Sequence, residues 1–275
     1  MMRRMGLLLL LLTILPGCTN IIFLPMQRLV RTPADIGLEY HDVEFHSIDG
    51  TLLHGWWLPA KGAAHGTILF LHGNAENIST HLASVYWLPE QGYNVFLLDY
   101  RGYGKSQGSS QIDGVHTDVE GAITTALELP ENEGRPIIVY GQSLGGAIAT
   151  YAVAHSAHRD RIKALIVESG FSSYRQIARE KFGSFWLTWP LQYPLSWTIT
   201  DRYSPIEAVP AIAPIPLLLV YGKEDPIVPF HHGQQLFAAA HEPKELWLLP
   251  DGRHISIFAQ PPQRQRLLNY LNGLL

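Results

Sequence analysis

Near-continuous apolar runs punctuate the chain at residues 67–71, 94–98, 137–140, 164–167 and 217–221, and a further run at 245–249 closes the series. Short uninterrupted runs of this kind predict strands buried on both faces. Ahead of them, residues 41–46 and 52–58 read as strands joined around Asp49-Gly50, a dipeptide that favours a hairpin turn. Helical patterns occupy residues 79–91, 114–127, 145–155, 233–241 and 260–274. Strand and helix alternate through almost everything after residue 66, which predicts one α/β domain: a mostly parallel sheet with helices on both faces.

Two segments fall outside that rhythm. Residues 171–215 are too long for a plain loop and carry Phe182, Phe185, Trp186, Trp189, Tyr193 and Trp197 among several prolines, so a small aromatic-rich insertion with its own short helices is expected. Those aromatics either pack the insertion onto the body or form a lid whose apolar face shapes a pocket or touches lipid. At the other end, residues 19–39 hold prolines and arginines with no sustained period, as in a tether or an arm laid on the domain surface. The domain proper is expected over 40–275.

Composition narrows the function. The 275 residues are 47% hydrophobic and only 16% charged, against about 25% charged in typical soluble domains. Part of the apolar excess sits in the leader, where Arg3-Arg4 precede an apolar stretch from Gly6 to Leu15. A formal charge of −4 without a long basic run argues against a nucleic-acid partner. Cys18 is the only cysteine, which excludes an internal disulfide and a cysteine-based metal cluster. It follows Leu15-Pro16-Gly17, where a signal sequence would be cut. Residues 1–18 thus resemble a bacterial lipoprotein signal with Cys18 as the lipidated, palmitate-bearing residue, although Pro16 replaces the usual small residue. The alternative is an uncleaved membrane anchor over residues 5–24. Both place the folded part in the cell envelope, and Thr19 after the cysteine is similar to signals sorted to the outer membrane, facing the periplasm.

The candidate chemistry centres on Gly141-Gln142-Ser143-Leu144-Gly145, set between an apolar strand run and a small-residue helical run. That is the layout of a nucleophile elbow, in which glycines clear space for a sharp bend that lifts the serine oxygen out of the sheet. A serine nucleophile needs a base and a carboxylate that orients the base. Asp225 follows the run at 217–221, with Glu224 as the competing carboxylate, and His254 follows the last strand. The order Ser143, Asp225, His254 is the one that distinguishes this arrangement from other serine hydrolases. His231, His232 and His241 read as surface or loop residues. His72 reads as a loop support, Asp99 and Arg101 as stitches of a turn, and Glu131 and Glu133 as solvated surface.

With Leu71-His72-Gly73-Asn74-Ala75-Glu76-Asn77 and Asp99-Tyr100-Arg101-Gly102-Tyr103-Gly104-Lys105-Ser106 added, residues 40–275 resemble an α/β-hydrolase-fold serine hydrolase of the BEM46-like, ABHD-like branch. One departure is Arg253, where the branch often has glycine immediately before the histidine. The resemblance implies an esterase-, thioesterase- or lysophospholipase-like activity of class EC 3.1, with an acyl-enzyme intermediate and no cofactor or metal. It also implies an oxyanion hole built from the backbone N–H groups of Leu144 and Asn74. Two rivals remain: a serine peptidase using the same three residues, and a non-catalytic envelope lipoprotein that binds lipid or a partner.

Overall fold

A computed structural model describes Asn20 and residues 22–274. The leader and Cys18, with the signal and lipidation expectations attached to them, lie outside the described residues. Eight strands form one sheet: β1 (His41–His46), β2 (Leu52–Leu58), β3 (Gly66–Leu71), β4 (Tyr93–Asp99), β5 (Ile137–Gln142), β6 (Ile162–Glu168), β7 (Leu217–Gly222) and β8 (Lys244–Leu249). Their order is β1-β2-β4-β3-β5-β6-β7-β8. β1 and β2 pair antiparallel, β2 runs antiparallel to β4, and every later pairing is parallel.

The apolar runs are continuous because both sides of the sheet are covered. Leu69, Leu71, Phe96 and Leu98 join one core, while the intervening Ile68, Phe70, Val95 and Leu97 join the other. On the first face pack α2 (Ile112–Glu128) and α3 (Leu144–His155). α2 buries Ile112, Val115, Val119, Ile123 and Ala126, the spacing of one helical stripe. α3 is buried almost all round, which its Gly146, Ala147 and Ala149 permit by letting the helix approach the sheet closely. The second face receives the C-terminal helix Pro261–Leu274 through Leu267 and Leu271.

The helix expected over 79–91 is not continuous. It breaks into α1 (Ile78–His81) and two 3₁₀ turns, Leu82–Ser84 and Pro89–Gln91. Pro89 cannot donate to the residue four earlier and its ring would clash there, which disfavours a helix over 85–91. The chain from 171 to 215 holds α4 (Tyr174–Ser184), α5 (Gln192–Trp197) and α6 (Pro205–Ala208), and α7 (His231–Ala239) follows β7. Ser173 starts α4 by accepting the Gln176 N–H at 2.9 Å. Among the described residues no helix is long and apolar enough to cross a membrane.

Candidate active site

Ser143 sits at the turn between β5 and α3 with φ 53° and ψ −117°, a strained conformation for a residue with a side chain. The surrounding glycines are a steric requirement. A Cβ on Gly145 would stand 2.2 Å from Leu71 O, and one on Gly141 would stand 2.4 Å from Gly145 O. The first would push the elbow off the end of β3, and the second would force the two arms of the turn apart. The bend is held from behind by Ser143 N–H, which donates to Glu168 O at 2.9 Å.

The other two candidates converge on this serine from the C-terminal ends of neighbouring strands, where parallel sheets place their ligands. His254 Nε2 lies 3.1 Å from Ser143 Oγ, and His254 Nδ1 lies 2.8 Å from Asp225 Oδ2. Asp225 Oδ1 accepts the N–H groups of Ile227 and Val228 at 2.8 and 2.9 Å, so both carboxylate oxygens are used. Burial works to raise the Asp225 pKa, but the His254 hydrogen bond and charge and the two backbone donors bring it below the ordinary carboxylate value. An ionised Asp225 fixes the proton on Nδ1 and leaves the Nε2 lone pair facing the serine hydroxyl. Glu224 is exposed. The absence of glycine beside His254 is explained one residue earlier, where Gly252 packs against Gly222: a Cβ on Gly222 would meet Gly252 O at 1.9 Å. That contact and the bond from Glu224 N–H to Gly252 O, 3.1 Å, tie the aspartate loop to the histidine loop.

Ser143, Leu144 and Asn74 line one cavity of about 430 Å³, within the range of small-molecule sites. Leu144 is the first residue of α3, so its N–H has no partner within the helix. The remaining walls are apolar: Phe171, Tyr174, Ile177, Phe182 and Ile199 come from the insertion, and Ile22 and Leu24 from the N-terminal arm. Lys181 is the one charged residue among the lining residues.

Several roles were not visible beforehand. The Asn74 carboxamide clamps the arm, donating to Ile22 O and accepting Leu24 N–H at 3.0 Å, while Tyr103 Oη donates to Asn74 Oδ1 at 3.0 Å. Glu168, fully buried at the end of β6, accepts from Tyr140 Oη, from Gln142 Nε2 at 2.6 Å and from Ile257 N–H at 3.0 Å. His232 departs from its expected surface or loop place, being fully buried in α7. Its Nδ1 accepts Ser172 N–H at 3.1 Å, so Nε2 carries the proton and donates to Glu180 Oε2 at 3.1 Å, latching α7 to α4. Although Glu180, His231 and His232 approach one another as metal ligands would, that tautomer leaves His232 no lone pair for an ion. His231 is partly exposed and also bonds Glu180, and His241 is exposed. Arg101 stitches its turn by pairing Asp118 at 2.7 Å and Asp49 at 2.8 Å. Glu131 and Glu133 are exposed, Glu133 pairing with Arg135 at 2.6 Å. The exposed aromatics of the insertion do not pack it onto the body, since Trp186 is 78% and Trp197 68% accessible.

Residues 62–203 match the family described as serine aminopeptidase, S33. The chain is 38% identical over 241 residues to the uncharacterized protein YfhR of Escherichia coli O157:H7, covering 85% of this chain and 81% of that protein. It is 32% identical over 236 residues to the alpha/beta hydrolase domain-containing protein WAV2 of Arabidopsis thaliana, covering 82% and 75%. The Pyrococcus furiosus esterase Pf2001 superposes with a TM-score of 0.72 at 24% identity, over 92% of this chain and 97% of that one. At that identity the likeness speaks for the fold.

Proposed function

The chain belongs to the α/β-hydrolase family, and we propose that within it this protein is a serine hydrolase cleaving carboxylic ester or thioester bonds of apolar acyl substrates. The observation that carries the reading is the continuous path from Asp225 through His254 to Ser143, opening on a cavity whose walls are almost wholly apolar. In this reading His254 Nε2 takes the Ser143 proton as Oγ attacks the acyl carbonyl, and returns it to the leaving alcohol or thiol. Asp225 holds the imidazole and stabilises its cationic form. The N–H groups of Leu144 and Asn74 receive the oxyanion, each lowering the barrier by on the order of 2.7–4 kcal/mol. Water then attacks the acyl-enzyme with His254 as base, and the chemistry calls for no cofactor.

The family description raises an aminopeptidase as the second reading. A free amino terminus needs a carboxylate to hold its ammonium group, whereas the charged lining residue is a lysine. An ester with a neutral or anionic leaving part suits that wall better. Labelling by a fluorophosphonate probe tests the reading: wild type reacts, Ser143→Ala does not, and equal labelling of the two would overturn it. A series of p-nitrophenyl esters of rising chain length, run beside aminoacyl anilides, separates esterase from peptidase.

We further propose that the protein works in the cell envelope, held to the membrane through Cys18 or through its apolar leader. Uptake of labelled fatty acid by wild type and its loss in Cys18→Ser would support the lipid anchor. No uptake by wild type would leave the helical anchor.

A further inference from the structure

Large apolar side chains are exposed at 13 positions among the described residues, and seven of these lie between Phe185 and Trp197. Such crowding is unlike scattered surface hydrophobes and marks an interaction face. Trp186, Trp189 and Trp197 are 78%, 61% and 68% accessible, with Tyr193 and Leu187 beside them in sequence. From Ser184 to Thr200 there is no Asp, Glu, Lys or Arg. The flanks do carry charge, with Arg175, Arg179 and Lys181 before the run and Arg202 after it, against Glu180 and Asp201. Glu180 is bonded to the α7 histidines, and Asp201 accepts from Ser173 Oγ and Arg175 N–H. Arg175 and Asp201 also pair with each other at 4.0 Å, leaving Arg179, Lys181 and Arg202 against Glu180, so the flanks are net cationic around an uncharged aromatic centre.

This face adjoins the cavity in the chain. Phe182 just before the run and Ile199 near its end both line the cavity, while the exposed Leu24 and Ile227 supply apolar rim from other segments. The arm gives the face a direction. Ile22 is a wall of the cavity and lies only four residues after Cys18, behind which runs the apolar leader. Four residues span at most about 14 Å when fully extended.

We propose that the Phe185–Trp197 face docks on a phospholipid bilayer, tryptophans in the interfacial layer and the flanking cations toward headgroups, so that an ester passes from the leaflet into the Ser143 cavity. Tryptophan and tyrosine prefer that layer because one end of each ring system is apolar and the other can hydrogen-bond. The short helices lie on the surface without crossing it. A second copy of the chain is the competing occupant, and the apolar leader favours the bilayer because only four residues separate its Cys18 from Ile22 on the cavity wall. The substrate half of this inference rests on the ester-hydrolase reading; the docking half does not.

The test uses the full chain reconstituted in vesicles of phosphatidylethanolamine and phosphatidylglycerol with dibrominated acyl chains, which quench only tryptophans that enter the layer. Three of the 7 tryptophans lie in the face, so wild-type emission should fall by a comparable share, and W186S/W189S/W197S should lose that quenching. None of the three lines the cavity. The triple variant should therefore hydrolyse a soluble short-chain ester as wild type does, while turnover of a vesicle-embedded ester falls roughly tenfold or more. Unquenched wild-type emission overturns the docking, as does a dimer that dissociates in the triple variant without any quenching. Quenching with no ester turnover by wild type upholds the docking and removes the ester reading. Equal turnover of the embedded ester by both proteins overturns the passage of substrate through this face.

Discussion

Glu168 Oε1 accepts the Ile257 N–H at 3.0 Å, and by that bond the end of β6 holds the segment that follows His254. Its other oxygen receives Gln142 Nε2, the neighbour of Ser143, at 2.6 Å. One buried carboxylate thus braces both the nucleophile turn and the histidine loop. Burial raises its pKa, opposed by the three donors pointed at it.

Glu168→Gln keeps the shape but turns an NH₂ group toward at least one of those donors. Stability should fall by about 1–3 kcal/mol, the cost of leaving a buried polar group unpaired. Because His254 would be displaced from Ser143, kcat should fall roughly tenfold to a hundredfold with little change in KM. Thermal unfolding beside steady-state kinetics on a soluble ester checks both. An unchanged kcat would show that the brace does not reach His254.

A different outcome is expected at Asp99, buried beneath the Asn74 loop. Its Oδ1 accepts Ile78 N–H at 2.9 Å, and Oδ2 has no hydrogen-bond partner among the described residues. His72 Nδ1 donates to Gly73 O at 2.7 Å, and its Nε2 lies 3.6 Å from Asp99 Oδ1. Burial pushes the Asp99 carboxyl up to about 7 and His72 down to about 3, so on the mildly acidic side of neutrality the two form an uncharged pair. A carboxyl whose pKa is raised on folding contributes its stability below the unfolded value and loses it as pH climbs toward the folded one. Wild type should therefore lose stability relative to Asp99→Asn between pH ~4 and pH ~7, with a gap approaching roughly 4 kcal/mol at the upper end. Denaturant melts of the two proteins across that range test it; parallel curves would contradict the neutral pair.

For Asn74 the expected effect combines the arm and the oxyanion loop. Asn74→Ala leaves Leu24 N–H and Tyr103 Oη without their shared acceptor and frees Ile22 from the cavity wall. A fall of about tenfold to a hundredfold in kcat is expected, since the backbone N–H at this position is the proposed second oxyanion donor. Asn74→Asp keeps the acceptor but not the donor and should recover part of the loss. If both variants match wild type on a soluble ester, the arm does not position this loop.

At Lys181 the effect should appear in specificity. Lys181→Glu inverts the charge of the cavity's charged lining residue, so kcat/KM for an anionic ester should drop roughly threefold to tenfold relative to a neutral ester of equal length. The side chain is exposed, and added salt should shrink the difference. A ratio unaffected by the substitution would place the substrate's charge, if it has one, outside the cavity.

The strands were legible because burial on both faces writes an unmistakable apolar run, and Ser143, Asp225 and His254 because each stands just beyond such a run. The backbone gives the physical reason that Asp225 rather than Glu224 fills this place: the Asp225 carboxylate reaches the Ile227 and Val228 N–H groups and His254 together. Glu168 was hidden because a glutamate after Ile162–Val167 looks like the polar end of a strand, and nothing local reveals that Tyr140, Gln142 and Ile257 converge on it. The hold of Asn74 on Ile22 joins positions 52 apart with no period in either segment. His232 was misplaced for the converse reason, since a polar residue inside a helix can be buried when partners such as Ser172 and Glu180 await it.

The Asn74 clamp also sets how a membrane-held copy of this enzyme would meet its substrate. With the arm pinned at Ile22 and Leu24, only four residues, at most about 14 Å when fully extended, would separate Ser143's cavity wall from a membrane-held Cys18, which would keep Ser143 close to the leaflet. Encounter then becomes a two-dimensional search. Turnover should follow the mole fraction of ester within the leaflet, remaining constant when the vesicles are diluted and falling when inert lipid is mixed in.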